Sequence, residues 1–183
     1  MKGSAELLSE WQQKQKRYME AFRDRIKELE KARSWKVISY FTYSVHLAHD
    51  RSKESILLGS YHIHNIGEEP FVDPYICLQL SEDSPFQFSG KYLYKDSIQK
   101  LQMSGAWERL NEADNKTEYW LRPSGKQLIS PGEKLTFSNF QMKWIADKKY
   151  AGSLNGYTYG EEAKEGIPSL NQINLSGEGD AGG

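Results

Sequence analysis

The stretch Leu57–Leu80, LLGSYHIHNIGEEPFVDPYICLQL, decides how the chain is read. Leu57, Tyr61 and Ile63 fall on one face of an extended segment running from about Ser55 to Ile66. Asn65-Ile66-Gly67-Glu68-Glu69-Pro70 then carries glycine and proline in a polar setting, the signature of a turn. From Pro74 to Leu80 the apolar residues Ile76, Leu78 and Leu80 again share a face. A period of two on both sides of a turn means paired strands rather than helix.

The same period extends outward. Upstream, Trp35, Val37, Ser39, Phe41, Tyr43, Val45 and Leu47 form the more apolar side of a strand. Asp50-Arg51-Ser52-Lys53-Glu54 turns it into the next. Downstream, short β segments are expected at Phe86–Phe88 and Lys91–Tyr94, and Ser97–Asn111 reads as a short helix or an irregular connection. Glu118–Arg122 is a strand stopped by Pro123, and Ile129-Ser130-Pro131-Gly132-Glu133 is a turn. The last strand runs from Leu135 to Ile145. A bulge near Ser138-Asn139 would bring Leu135 and Phe137 onto the face of Phe140, Met142 and Trp144. Many short strands between turn signals predict a mainly β domain, a sandwich or barrel, over residues 34–147.

The pattern "YHIHNIGEEPFVDPYICLQL" followed by "LISPGEKLTFSNFQMKW" resembles an immunoglobulin-like β-sandwich of the adhesion or adaptor-appendage type. Such modules share an Asn-x-Gly turn after a hydrophobic run and a Pro-Gly-Glu turn before a core strand. The resemblance is at the level of fold and spans about Trp35 to Trp144. It implies an antiparallel sandwich that binds or spaces, with no catalytic residues. The paired cysteines of antibody domains are missing, since Cys77 stands alone.

Residues 1–33 change character. After Gly3 they contain neither glycine nor proline, and Ser4 suits a helix N-cap. Leu8, Trp11, Gln15, Tyr18, Phe22, Arg25, Leu29 and Ala32 recur in steps of three and four, with Met19 and Ile26 widening the stripe. The expectation is a long amphipathic helix with coiled-coil character, and Gln15 and Arg25 interrupt its seam. Leu8, Trp11, Tyr18, Phe22 and Leu29 are its candidate partner-binding residues. The seam either packs on its own domain, pairs with another copy, or docks on a foreign protein. At the other end, residues 148–183 hold eight of the chain's 15 glycines and no sustained apolar period. They read as a flexible tail.

The chemistry is sparse. Lysine plus arginine number 24 and aspartate plus glutamate 25, so no basic excess points to nucleic acid. No stretch approaches the roughly 18 apolar residues of a spanning helix, and no signal-peptide apolar core is visible. A cytoplasmic protein is expected, with signal-free export or packaging into a particle left open. His62 and His64 would sit on one strand face about 7 Å apart, a spacing that suits a metal. His46 is a further weak candidate, but a third and fourth ligand are needed, and Tyr61 and Ile63 claim the dry face. No cofactor is expected. Cys77 lacks a basic neighbourhood and reads as an inert buried thiol. Ser89-Gly90-Lys91 and Ser124-Gly125-Lys126 lack the earlier glycine of a phosphate loop. The reading is a noncatalytic interaction or assembly protein. A carbohydrate-binding module using Tyr92, Tyr94, Trp107, Tyr119 or Trp120 is one rival, and a metal-dependent enzyme built on the histidines is another.

Overall fold

The computed structural model describes residues 11, 13–25, 36–48, 52–94, 106–146 and 149–178. Trp11 and residues 13–25 are helical (α1). The strands in chain order are β1 (Val37–His46), β2 (Glu54–Asn65), β3 (Phe71–Val72), β4 (Tyr75–Leu80), β5 (Gln87–Ser89), β6 (Tyr92–Tyr94) and β7 (Trp107–Arg109). They continue as β8 (Glu118–Pro123), β9 (Leu128–Ile129), β10 (Lys134–Ile145), β11 (Tyr150–Gly160), β12 (Ala163–Pro168) and β13 (Ile173–Gly177). The described residues are therefore mainly β, with a helix near the N-terminus, as the two periodicities require.

Two main sheets form. One has the order β1-β2-β10-β5. The other runs β12-β11-β4-β8-β7-β6, with β13 also paired to β11. The small pair β3-β9 joins Phe71 to Ile129. Pairing is antiparallel throughout except between β6 and β7.

The sheets face each other over a single core that draws on both, with Phe41, Leu57, Tyr61, Ile63, Phe137 and Phe140 from the first and Ile76, Leu78, Tyr119, Leu121 and Leu154 from the second. Phe88 meets Tyr119 across the gap with ring centroids 4.3 Å apart, and Trp107 meets Phe137 at 5.4 Å. The Tyr61 hydroxyl donates to Ser39 Oγ at 2.8 Å within its own sheet and lies 3.0 Å from Thr158 Oγ1 of the other. Every one of those polar groups is buried, so the bonds replace the water each has lost.

The two turns of the quoted sequence pattern meet. Asn65 is fully buried, and its Nδ2 donates to Glu69 O at 2.7 Å and Ile129 O at 2.8 Å. Its Oδ1 accepts from Gly67 N–H at 3.0 Å. Its backbone carbonyl accepts from Gly132 N–H at 2.8 Å, and its N–H donates to Glu133 O at 3.1 Å. Gly132 has φ 76°, which the third position of a type II turn after Pro131 demands. The bulge expected in the last strand is present: the β2–β10 register shifts between Phe137 and Phe140, and Asn139 takes φ 59°. Phe137, Phe140, Met142 and Trp144 all end up buried as a result.

The C-terminal region departs from expectation. Instead of a flexible tail after residue 147, β11 runs between β4 on one side and β12 and β13 on the other. The glycines that looked like markers of disorder are spaces for rings. A Cβ on Gly156 would lie 2.3 Å from the Tyr61 ring and 2.8 Å from that of Phe41, and one on Gly160 would lie 2.5 Å from the Phe71 ring. Leu154, Gly156, Thr158 and Gly160 are the buried alternate positions. An apolar period was present but written partly in glycine.

Candidate functional site

The helical arm carries the residues singled out for partner binding. Trp11, Tyr18 and Phe22 are 62%, 66% and 63% exposed, and Met19 beside them is 52% exposed. Positions 11, 15, 18, 19 and 22 are spaced by three and four, so these side chains share one side of α1. Leu8 and Leu29 lie outside the described residues. The stripe is large, aromatic and uncovered by the described part of its own domain. The described part of the arm is exposed along its whole length, and its residues include both lysine and arginine together with glutamate and aspartate.

The histidines sit on the outer face of the first sheet. His62 and His64 are both half-buried. His62 is opposite Tyr40 on β1 and Thr136 on β10, and its ring lies 5.0 Å from that of Tyr40. Its Nε2 is 2.8 Å from Thr42 Oγ1 and its Nδ1 is 3.0 Å from Thr136 Oγ1. Both ring nitrogens are thus engaged by threonines. Partial burial, helped by the nearby Lys134 charge, pulls its pKa below the usual histidine value. His46 does not come near. The register sets it opposite Ile56, six residues from His62 along β2, or about 20 Å. Among the described residues no group of three His, Cys, Asp or Glu side chains converges as a metal site.

The aromatic candidates divide. Trp107 and Tyr119 are core residues. Tyr119 also forms one wall of a clamp on Arg109, which is only 3% exposed. The guanidinium carbon lies 4.5 Å from the Tyr119 centroid and 5.7 Å from that of Tyr92. Arg109 donates to Asn111 Oδ1 at 3.1 Å, to Asn115 O, and to Glu118 O at 3.3 Å. Ring faces and neutral oxygens replace the water around this cation. Burial raises the pKa of both tyrosines, and the arginine charge opposes the rise. Sequence reading missed this clamp, because nothing in Trp107-Glu108-Arg109 distinguishes an arginine that turns inward.

Trp120 points to the other face of its sheet, where it groups with Tyr75 and Tyr159. Tyr75 and Tyr159 are cross-strand partners stacked at 5.0 Å with planes 10° apart. Trp120 leans on Tyr159 at 5.1 Å, and its Nε1 donates to Glu118 Oε2 at 3.0 Å. The Tyr159 ring also lies against Gly166, where a Cβ would approach to 2.6 Å. Of the three rings, only Tyr75 and Tyr159 meet face to face, and Trp120 is tilted against both. Tyr94 is exposed at the end of β6. Cys77 is buried between Ile76 and Leu78, and burial pushes its thiol up to about 12, which suits an inert side chain.

Among the described residues, no helix is long and apolar enough to cross a membrane. No protein-family model matches the chain, and no curated protein sequence matches it significantly. Among solved structures, it is similar to the ApaA protein from Bordetella pertussis, with 12% identity, a TM-score of 0.39, and coverage of 78% of this chain and 94% of that one. It is also similar to part of a GH20 exo-β-N-acetylglucosaminidase from Vibrio harveyi. An inactive mutant gives 7% identity and a TM-score of 0.28, over 75% of this chain and 17% of that one. The same enzyme in complex with N-acetylglucosamine gives 8% identity and a TM-score of 0.27 over the same shares of 75% and 17%. Scores of this size assign neither a family nor an activity.

Proposed function

We propose that this chain is a noncatalytic assembly protein whose helical arm binds another protein or a second copy of itself, while an immunoglobulin-like sandwich serves as the folded body. The observation that carries the reading is the exposed stripe of Trp11, Tyr18, Met19 and Phe22. Soluble domains avoid contiguous apolar patches of this kind unless a partner covers them. Two mostly antiparallel sheets over one core, with the Asn65 turn locked to the Pro131-Gly132 turn, support the immunoglobulin-like assignment of the body. The carbohydrate rival has less support, because Tyr75 and Tyr159 each spend one face on their stacked pair and Trp120 leans on Tyr159. The metal rival has less again, because both nitrogens of His62 are engaged.

Light scattering and partner capture on full-length protein test the arm. Phe22→Glu is expected to lower the mass or abolish capture while the thermal melt of the β body stays where it was. A fall in melting temperature with mass and capture unchanged would mean that the stripe packs on its own domain, and the proposal would fail.

A further inference from the structure

Three of the four sheet ends are blunted. β5 and β6 have three residues each, and the edge beyond β11 is split between β12, which carries Lys164, Glu165 and Pro168, and the five-residue β13. Short edges, charges and proline are the usual defences against pairing with another chain. β1 is the exception. It closes the first sheet with ten residues, and between Val37 and Leu47 there is no proline, glycine, lysine, arginine, aspartate or glutamate.

Half of that edge is covered from within. Leu170 N–H donates to Ser39 O at 2.7 Å, Phe41 N–H donates to Asn171 Oδ1 at 2.7 Å, and Asn171 Nδ2 donates to Phe41 O at 3.0 Å. The Asn171 amide stands in for one residue of a neighbouring strand and then stops. These contacts fix the parity of the edge, since the odd residues turn their N–H and C=O outward while the even ones face β2. The N–H and C=O of Tyr43 and Val45 therefore lie on the open edge, and no described residue bonds to them. The side chains above them change at the same place. Val37, Ser39 and Phe41 are buried, whereas Tyr43, Val45 and Leu47 on the same face are 45%, 39% and 53% exposed.

We propose that this distal half of β1, Thr42–His46, pairs antiparallel with the same segment of a second copy. The segment is complementary to itself. A two-fold axis through Ser44 places Tyr43 opposite Val45 of the other copy, and the reverse, which closes both pairs of free backbone groups at once. On one face this gives two aromatic–β-branched cross-strand pairs, a favourable combination. On the other it sets serine against serine and Thr42 against His46, so no like charges meet. The Asn171 cap blocks pairing at Phe41 and limits how far the register can slide. The contact is separate from the helical arm.

The test uses full-length protein carrying Phe22→Glu, so that association through the arm is removed. In this background Ser44→Cys is oxidised gently with glutathione disulfide. Across the axis the two Ser44 Cα atoms would be about 4.5 Å apart, within disulfide reach. A covalent dimer is expected at least tenfold faster than for Ser138→Cys, an exposed site on β10 away from the edge. Adding Val45→Pro, which removes an edge donor without touching β2, is expected to reduce cross-linking to the Ser138→Cys rate while the melt is unchanged. Val45→Lys serves as a second variant if the proline perturbs folding. Cross-linking of Ser44→Cys no faster than the control would overturn the proposal, as would rates indifferent to both Val45 variants.

Discussion

At the scale of single residues, Asn65 is the most demanding position in the chain. Its side chain and backbone hold both turns, and no other residue can donate twice and accept once in that space. Asn65→Ala should cost about 3 kcal/mol or more in urea unfolding, because several buried groups lose partners together. Asn65→Asp should fare little better, since its carboxylate cannot donate to Glu69 O and Ile129 O. Tyr61 gives a pH-dependent counterpart. Burial, more than its two hydroxyl partners can offset, pushes its phenol from 10.0 up to about 12. The folded state therefore holds this proton more tightly than the unfolded chain, so the contribution is whole below pH 10 and is lost as pH rises from 10 toward 12. The Cys77 thiol, pushed from 9.0 to about 12, acts in the same direction over a window that opens lower. Melting temperatures followed upward from about pH 8 should fall across both windows. Tyr61→Phe should soften the fall above pH 10. At neutral pH it should be less stable by about 1–3 kcal/mol, because Ser39 and Thr158 lose their partner.

At the scale of elements, the bulge in β10 and the glycines of β11 decide how the sheets meet. Asn139 occupies a left-handed conformation, so Asn139→Gly should be neutral or slightly stabilising. Asn139→Val should cost about 1–2 kcal/mol in the same unfolding assay. Gly156→Ala should destabilise by about 1–3 kcal/mol, because the Tyr61 and Phe41 rings fill the space its methyl would need. These two elements also mark where sequence reading succeeded and where it stopped. The bulge was legible because two bulky runs, Leu135–Phe137 and Phe140–Trp144, are out of phase by one residue and only an insertion reconciles them. β11 was not legible, because its inward positions include glycines whose partners are rings some hundred residues away in sequence. Local composition cannot distinguish a glycine that frees a chain from one that admits a ring. The histidines show the same limit from the other side. Their shared face followed from the period of two, but the distance of His46 followed only from the register.

At the scale of the whole molecule, the body should be indivisible and the arm separable. A chain starting at residue 34 is expected to keep a cooperative β melt within a few degrees of full length, since the described arm is exposed along its length. A chain ending at residue 148 is expected to show no cooperative transition, because it removes β11 from the edge of β4 and everything paired beyond it. Circular dichroism on the two truncations checks both outcomes. The place of β11 also bears on the order of events during synthesis. β2 finds its second neighbour only when β10 appears, and β4 remains one-sided until β11 leaves the ribosome. Ile76, Leu78 and Leu80 thus wait, apolar and unpaired on one edge, while some seventy further residues are translated. A body wired this way cannot be assembled piecemeal from its N-terminus. Its nascent form presents sticky strands to its surroundings for several seconds at ordinary elongation rates. A chaperone that recognises extended apolar segments is expected to hold the growing chain until its last third has emerged.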